Sequence, residues 1–126
     1  MNAHSQILVI SRDQMLLQTR RLILGTYFEV EAAGRMSEAG AILSKRDFDV
    51  IVLCDTLSED ECHQIEDFVR DRKPHPTLFS VLGPGNRNCG STVGRALAGG
   101  GPLQLLKECA DVLGYDLRGK QRMFSN

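Results

Sequence analysis

Asp49-Val50-Ile51-Val52-Leu53-Cys54-Asp55 is the stretch that decides the fold. An unbroken apolar run this short, rich in β-branched residues and closed by an aspartate at each end, is a strand covered on both faces. Strands of that kind belong to parallel sheets with helices above and below. The flanking sequence should therefore alternate strand and helix patterns, and it does.

Upstream, Ile7-Leu8-Val9-Ile10 is a second short apolar run, and Phe28-Glu29-Val30-Glu31-Ala32 alternates as a half-buried strand does. Between them Ser11, Arg12 and Asp13 offer helix caps. Met15, Leu16, Thr19, Leu22 and Ile23 then recur at helical spacing, with Gln18, Arg20 and Arg21 on the intervening face, until Gly25. A shorter helix over 37–43 has Ser37 near its N-cap and is weakened by Gly40.

Downstream, a helix over 59–73 carries Cys62, Ile65, Phe68 and Val69 on one face. Its start is acidic (Glu59, Asp60, Glu61) and its end basic (Arg70, Arg72, Lys73), as the helix dipole favours. Pro74 and Pro76 stop it, and Thr77–Leu82 is a fourth strand. Residues 83–101 hold seven glycines in nineteen positions and read as irregular; Thr92 to Ala98 fits a short strand or one helical turn equally well. Pro102 suits the first turn of a last helix, whose stripe is Leu105, Leu106, Cys109, Val112 and Leu113 and whose end is Gly114.

The expected architecture is α/β: a three-layer sandwich around a central parallel sheet. Residues 1–114 form the domain. Residues 115–126, with Arg118, Lys120 and Arg122 against Asp116, form a flexible basic tail.

The 126 residues suit one domain, with 42% hydrophobic and 25% charged residues. A net charge of −1 gives no whole-chain attraction to nucleic acid or to an anionic membrane. No apolar run approaches the ~20 residues of a membrane helix, and the first residues lack a signal-peptide pattern. These features predict a cytoplasmic protein. Cys54, Cys62, Cys89 and Cys109 form no Cys-x-x-Cys pair, so the expectation is four reduced thiols and no zinc site.

Ile7-Leu8-Val9-Ile10, Phe28-Glu29-Val30 with Ala33-Gly34 and Glu38-Ala39, and Asp49–Leu53 with Leu57 together resemble the receiver domain of two-component response regulators. The resemblance covers roughly residues 6–82, fades through 83–101 and returns in the last helix. It implies a flavodoxin-like topology with a degenerate fourth-helix and fifth-strand region. It also implies a chemistry. In receivers an aspartate at the end of the third strand accepts a phosphoryl group, and an acidic pair after the first strand holds magnesium. A hydroxyl residue after the fourth strand and a lysine after the fifth respond to the phosphate. Charge at the transferring oxygens has to be neutralised, and magnesium prefers carboxylate oxygens.

This chain departs from that pattern at each position. The acidic pair falls on Ser11 and Arg12, with Asp13 one place later. The acceptor falls on Cys54, with Leu57 fixing the register and Asp55 one place late. The hydroxyl position falls on Val81, after Ser80, and the lysine position falls in Ala98–Gly101, which has none. A cation at Arg12 repels a metal directly. The degenerate acceptor-site positions are thus Ser11, Arg12, Asp13, Cys54, Asp55, Ser80 and Val81.

The resulting expectation is a non-enzymatic, phosphorylation-independent regulatory module of two-component-type signal transduction, without a cofactor. It would act by contact with a protein partner in a signalling or transcription-regulation pathway, or with a second copy of itself, and not with a membrane or nucleic acid. Its candidate partner surface is the exposed side of the last helix, Gln104, Lys107, Glu108 and Asp111. The first helix offers another through Gln18, Arg20 and Arg21.

Two alternatives stand beside it. One is an active acceptor receiver using Asp55 with Asp13 and magnesium. The other is a thiol redox switch at Cys54, with Arg12 as the cation that favours the thiolate; the plainer reading of Cys54 is a small buried hydrophobe. Arg12 is also expected to pair with Asp13 or Asp55. Gly85–Thr92 approaches a phosphate-binding loop but lacks its lysine, and reads as a surface loop. Cys62, His63 and His75 do not converge as metal ligands.

Overall fold

The computed structural model describes residues 5–54, 56–73, 75–82, 95–98 and 102–114. The elements run β1 (Gln6–Ile10), α1 (Gln14–Gly25), β2 (Glu29–Ala33), α2 (Met36–Leu43), β3 (Val50–Leu53), α3 (Glu59–Val69), β4 (Thr77–Leu82), β5 (Arg95–Ala98) and α4 (Pro102–Leu113). The strands form one parallel sheet in the order β2-β1-β3-β4-β5. The expected α/β sandwich is therefore present.

Arg95–Ala98 pairs with Phe79–Leu82 and forms the last strand of the sheet. Between the strand and the helical turn that the sequence allowed, strand pairing decides, because β4 would otherwise be left an unpaired edge. The expected irregular stretch 83–94 lies outside the described residues, as do the phosphate-loop match and the tail.

The sheet separates two cores. Leu8, Ile10, Ile51, Leu53 and Leu78 pack with Ala39 and Leu43 of α2 and Cys62, Ile65 and Val69 of α3. Ile7, Val9, Val50, Val52, Cys54, Phe79 and Val81 pack with Leu17 and Leu24 of α1 and Leu105, Leu106, Cys109 and Ala110 of α4. Successive residues of β1 and β3 thus face opposite layers, which is why both strands read as continuous apolar runs. Each fully buried Leu, Ile, Val or Phe contributes roughly 1.5–3 kcal/mol of burial free energy.

α1 is turned from its predicted orientation. Its buried residues are Leu17, Arg20 and Leu24, while Met15 and Leu22 are 77% and 72% exposed. Leu17 and Leu24 pack into the core under the sheet, and Met15 and Leu22 face outward. Phe68 of α3, expected in the apolar face, is also largely outside, beneath the Arg72 guanidinium at 5.5 Å. α3 itself ends at Val69, four residues before the predicted end.

The termini of the helices follow local chemistry. Asp13 caps α1 by accepting from the N–H groups of Met15 and Leu16 at 2.9 and 3.2 Å. Ser58 and Glu61 form a reciprocal capping box at α3. α2 begins after Arg35, which supplies no side-chain cap, rather than at Ser37. Its Glu38 instead accepts the Gly34 N–H at 2.8 Å and so fixes the exit of β2. Gly114, with φ of 71°, closes α4 in the left-handed region.

Candidate functional site

The strand order reverses at β1, whose neighbours β2 and β3 are reached by crossovers on opposite sides. In open α/β sheets, chemistry gathers at the carboxyl ends of strands beside such a point. Here those ends carry Ser11, Arg12 and Asp13 after β1, and Cys54 and Thr56 after β3. Backbone pairing continues past both strands, with the Ser11 N–H donating to Ala33 O and the Cys54 N–H to Ile10 O, each at 3.1 Å.

Thr56 joins the two loops. Its Oγ1 accepts the Arg12 N–H at 2.9 Å and lies 3.1 Å from the Oγ of buried Ser11. Ser11 Oγ in turn accepts the Asp13 N–H at 3.1 Å. Ser11 is thus a neutral hydroxyl engaged by its own loop.

Arg12 reaches α3. Its Nε donates to Glu61 Oε1 at 3.3 Å and its Nη2 to Glu61 Oε2. Among the described residues Arg12 pairs with Glu61 and not with the expected Asp13. Asp13 is committed to the α1 N-terminus, whose amides hold both its charge and its geometry, and Glu61 offers a two-pronged fit to the guanidinium fork. Asp55 lies outside the described residues. Among the described residues no group of three His, Cys, Asp or Glu side chains converges as a metal site.

Cys54 is fully buried and faces the core shared by α1 and α4. The cation beside it is Arg20, not the predicted Arg12: Arg20 Nη1 donates to Cys54 Sγ at 2.8 Å. Arg12 points over the sheet end towards α3, whereas Arg20 rises from the buried face of α1. Arg20 is only 8% exposed, so it leaves the partner surface expected of α1, where Gln18 and Arg21 remain exposed. On β4, Ser80 is fully buried and Val81 nearly so; Ser80 pairs in register with Leu53.

The other cysteines differ sharply. Cys62, expected as a reduced thiol, is disulfide-bonded. Cys109 is fully buried, and burial together with the neighbouring Glu108 carboxylate pushes its thiol up to about 12. On α4, Gln104, Lys107 and Asp111 are exposed and Glu108 is half-buried, with Gln104 Nε2 donating to Glu108 Oε2 at 2.9 Å.

Thr56, Glu61 and Arg20 are the site residues that sequence reasoning missed. Glu61 had a signal: Ser58-x-x-Glu61 is the capping-box pattern, which places Glu61 in the first turn beside the β3 loop. Arg20 had one too, lying three residues after Leu17 and four before Leu24 on a single helical stripe.

Several solved receiver domains superpose on this chain. The Vibrio cholerae chemotaxis protein CheY4 superposes with a TM-score of 0.70 at 20% identity, over 87% of this chain and 99% of that one. The receiver domain of an HD domain-containing protein from Pseudomonas fluorescens gives 0.71 at 16% identity, over 90% of each chain. A CheY-like receiver domain from Methanospirillum hungatei gives 0.69 at 18% identity, over 89% of this chain and 95% of that one. The chain has the receiver fold. No family model and no curated protein matches its sequence. Ser11, Arg12, Asp13, Cys54 and Thr56 lie at the carboxyl end of the sheet. No helix among the described residues is long and apolar enough to cross a membrane.

Proposed function

We propose that this chain is a regulatory module of signal transduction with a receiver fold, working without phosphorylation and through protein contact rather than catalysis. The observation that carries the reading is the Arg12–Glu61 ion pair. A receiver needs acidic oxygens after β1 to hold magnesium. Here that loop presents a guanidinium, and the guanidinium is tied to α3. Ser11 and Thr56 close the same space with hydrogen bonds, and Asp13 serves α1. A divalent ion would have to displace Arg12 and take Asp13 from its cap.

Contact with a partner falls to surfaces away from this end of the sheet. The exposed side of α4, Gln104, Lys107, Glu108 and Asp111, is the surface we assign to a protein partner or a second copy. Its mixed charges favour a polar, selective contact over a non-specific one.

Magnesium titration by NMR, with and without beryllofluoride as a phosphoryl mimic, tests the reading. The expected result is unchanged resonances at residues 11–13, 54–56 and 80–82 up to millimolar magnesium. Saturable shifts there, abolished by Asp55→Asn, would replace it with an active acceptor receiver.

A further inference from the structure

Among the described residues Arg20 is the one buried charge in the core between the sheet and the α1/α4 layer. Its side chain rises from the α1 face that carries Leu17 and Leu24, and the residue is 8% exposed. A guanidinium stays protonated at any pH a folded protein survives. Burying one without an anion is heavily unfavourable. Yet among the described residues Arg20 has no salt bridge to a carboxylate, and its buried Nε has no hydrogen-bond partner. Its Nη1 lies 2.8 Å from Cys54 Sγ. Among the described residues that sulfur is the group in position to carry the balancing charge.

We propose that Cys54 is held as a thiolate by Arg20, and that this makes it a site of reversible oxidation by small hydroperoxides. The step balances with hydrogen peroxide as the oxidant. The thiolate sulfur attacks one peroxide oxygen, an S–O bond forms and the O–O bond breaks. Hydroxide leaves and takes a proton from solvent, so that sulfur is oxidised to sulfenic acid and peroxide is reduced to water. Two equivalents of a small thiol return the sulfenic acid to the thiol, releasing water and a disulfide of the reductant. The proposal rests on the Arg20–Cys54 geometry and goes beyond the reading of the chain as a partner-binding module. Magnesium titration tests that reading and leaves this one untouched.

Cys109 supplies an internal reference. It is as buried as Cys54 and likewise outside any disulfide, but its charged neighbour is the Glu108 carboxylate. Any opening motion needed to admit a reagent penalises both sulfurs, so their ratio isolates the electrostatics. Cys62 is already disulfide-bonded and does not compete.

The experiment is a time course of hydrogen peroxide with dimedone trapping on the folded full chain, read by peptide mass spectrometry. Cys54 is expected to label about tenfold faster than Cys109 or more. Arg20→Met is expected to bring the ratio down to about one, with Arg20→Lys in between. Equal labelling of Cys54 and Cys109, or unchanged labelling of Cys54 in Arg20→Met, overturns the proposal. If Arg20→Met does not fold, absorbance at 240 nm decides: wild type at neutral pH shows a thiolate band that Cys54→Ser lacks, and identical spectra overturn the proposal.

Discussion

Glu61→Gln is the substitution that isolates the Arg12 latch. Glu61 does two things at once: its Oε1 accepts the Ser58 N–H at 3.0 Å in the α3 capping box, and its carboxylate binds the Arg12 fork. Glutamine keeps an acceptor for the cap and removes the charge. The Arg12 side chain is 50% exposed and that of Glu61 14%. Exposed pairs contribute about 0.2–1 kcal/mol; a two-pronged pair with one mostly buried member belongs near the upper end, so about 1 kcal/mol is expected. Urea unfolding of wild type, Arg12→Gln, Glu61→Gln and the double variant gives the coupling directly. Glu61→Gln should lose about 1 kcal/mol, roughly 3–5 °C in Tm, and next to nothing in the Arg12→Gln background. At 0.5 M salt the Debye length shrinks to about 4 Å and the coupling should fall by roughly half. A coupling under about 0.3 kcal/mol at low salt, or one that salt leaves unchanged, would mean that Arg12 merely lies near Glu61. The latch would then not explain a closed metal position.

Three further outcomes follow from the same contacts. Asp13→Ala should cost about 1 kcal/mol through loss of the α1 cap while Asp13→Asn costs only a few tenths, both read by urea midpoint; equal costs would mean that charge, not capping, is the role of Asp13. Cys109, raised from 9.0 to about 12, keeps its proton in the native state while the unfolded chain gives it up, so stability should fall as pH rises from 9 towards 12. The slope from this group is about 1.4 kcal/mol per pH unit, and Cys109→Ala should remove it in a pH series of midpoints. Met15→Gln and Leu22→Gln should each change stability by less than about 0.5 kcal/mol, whereas Leu17→Ala should cost about 2–5 kcal/mol in the same assay; a large loss at Met15 or Leu22 would restore the predicted helix face.

The sheet was legible because its strands are buried on both faces. Ile7–Ile10 and Val50–Cys54 have no polar residue to misplace, so neither register nor face has to be inferred. α1 was less legible because its apolar residues outnumber the places available. Met15, Leu16, Leu17, Leu22, Ile23 and Leu24 mark two overlapping stripes, and the choice between them turns on Arg20, which looks like a surface residue until its helical position is counted. β5 was hidden for the opposite reason. Arg95-Ala96-Leu97-Ala98 has almost no β-propensity, and only pairing along β4 makes it a strand. At the site, the placement of Ser11, Arg12 and Cys54 after β1 and β3 could be read from sequence order alone. The partners of Arg12 and Cys54 could not, since both contacts join residues more than thirty apart: Arg12 to Glu61 and Arg20 to Cys54.

Phosphoryl transfer needs the charge on the transferring oxygens neutralised, and magnesium for that task takes carboxylate oxygens. In this chain the charged groups described at that end of the sheet already have partners within the chain: Arg12 with Glu61, Asp13 with the α1 amides, and Arg20 with the sulfur of Cys54. A ligand shifts a conformational equilibrium only by its differential affinity for the two states. On the proposed reading, a metal gains little at a place whose charges are answered, so any response of this domain has to originate elsewhere. Two sources remain in the structure. One is a partner binding the exposed side of α4. The other is a chemical change at Cys54, which would convert the sulfur that faces Arg20 into a sulfenic acid, alter the charge balance in the core beneath α1, and thereby bias the packing of α1 against α4.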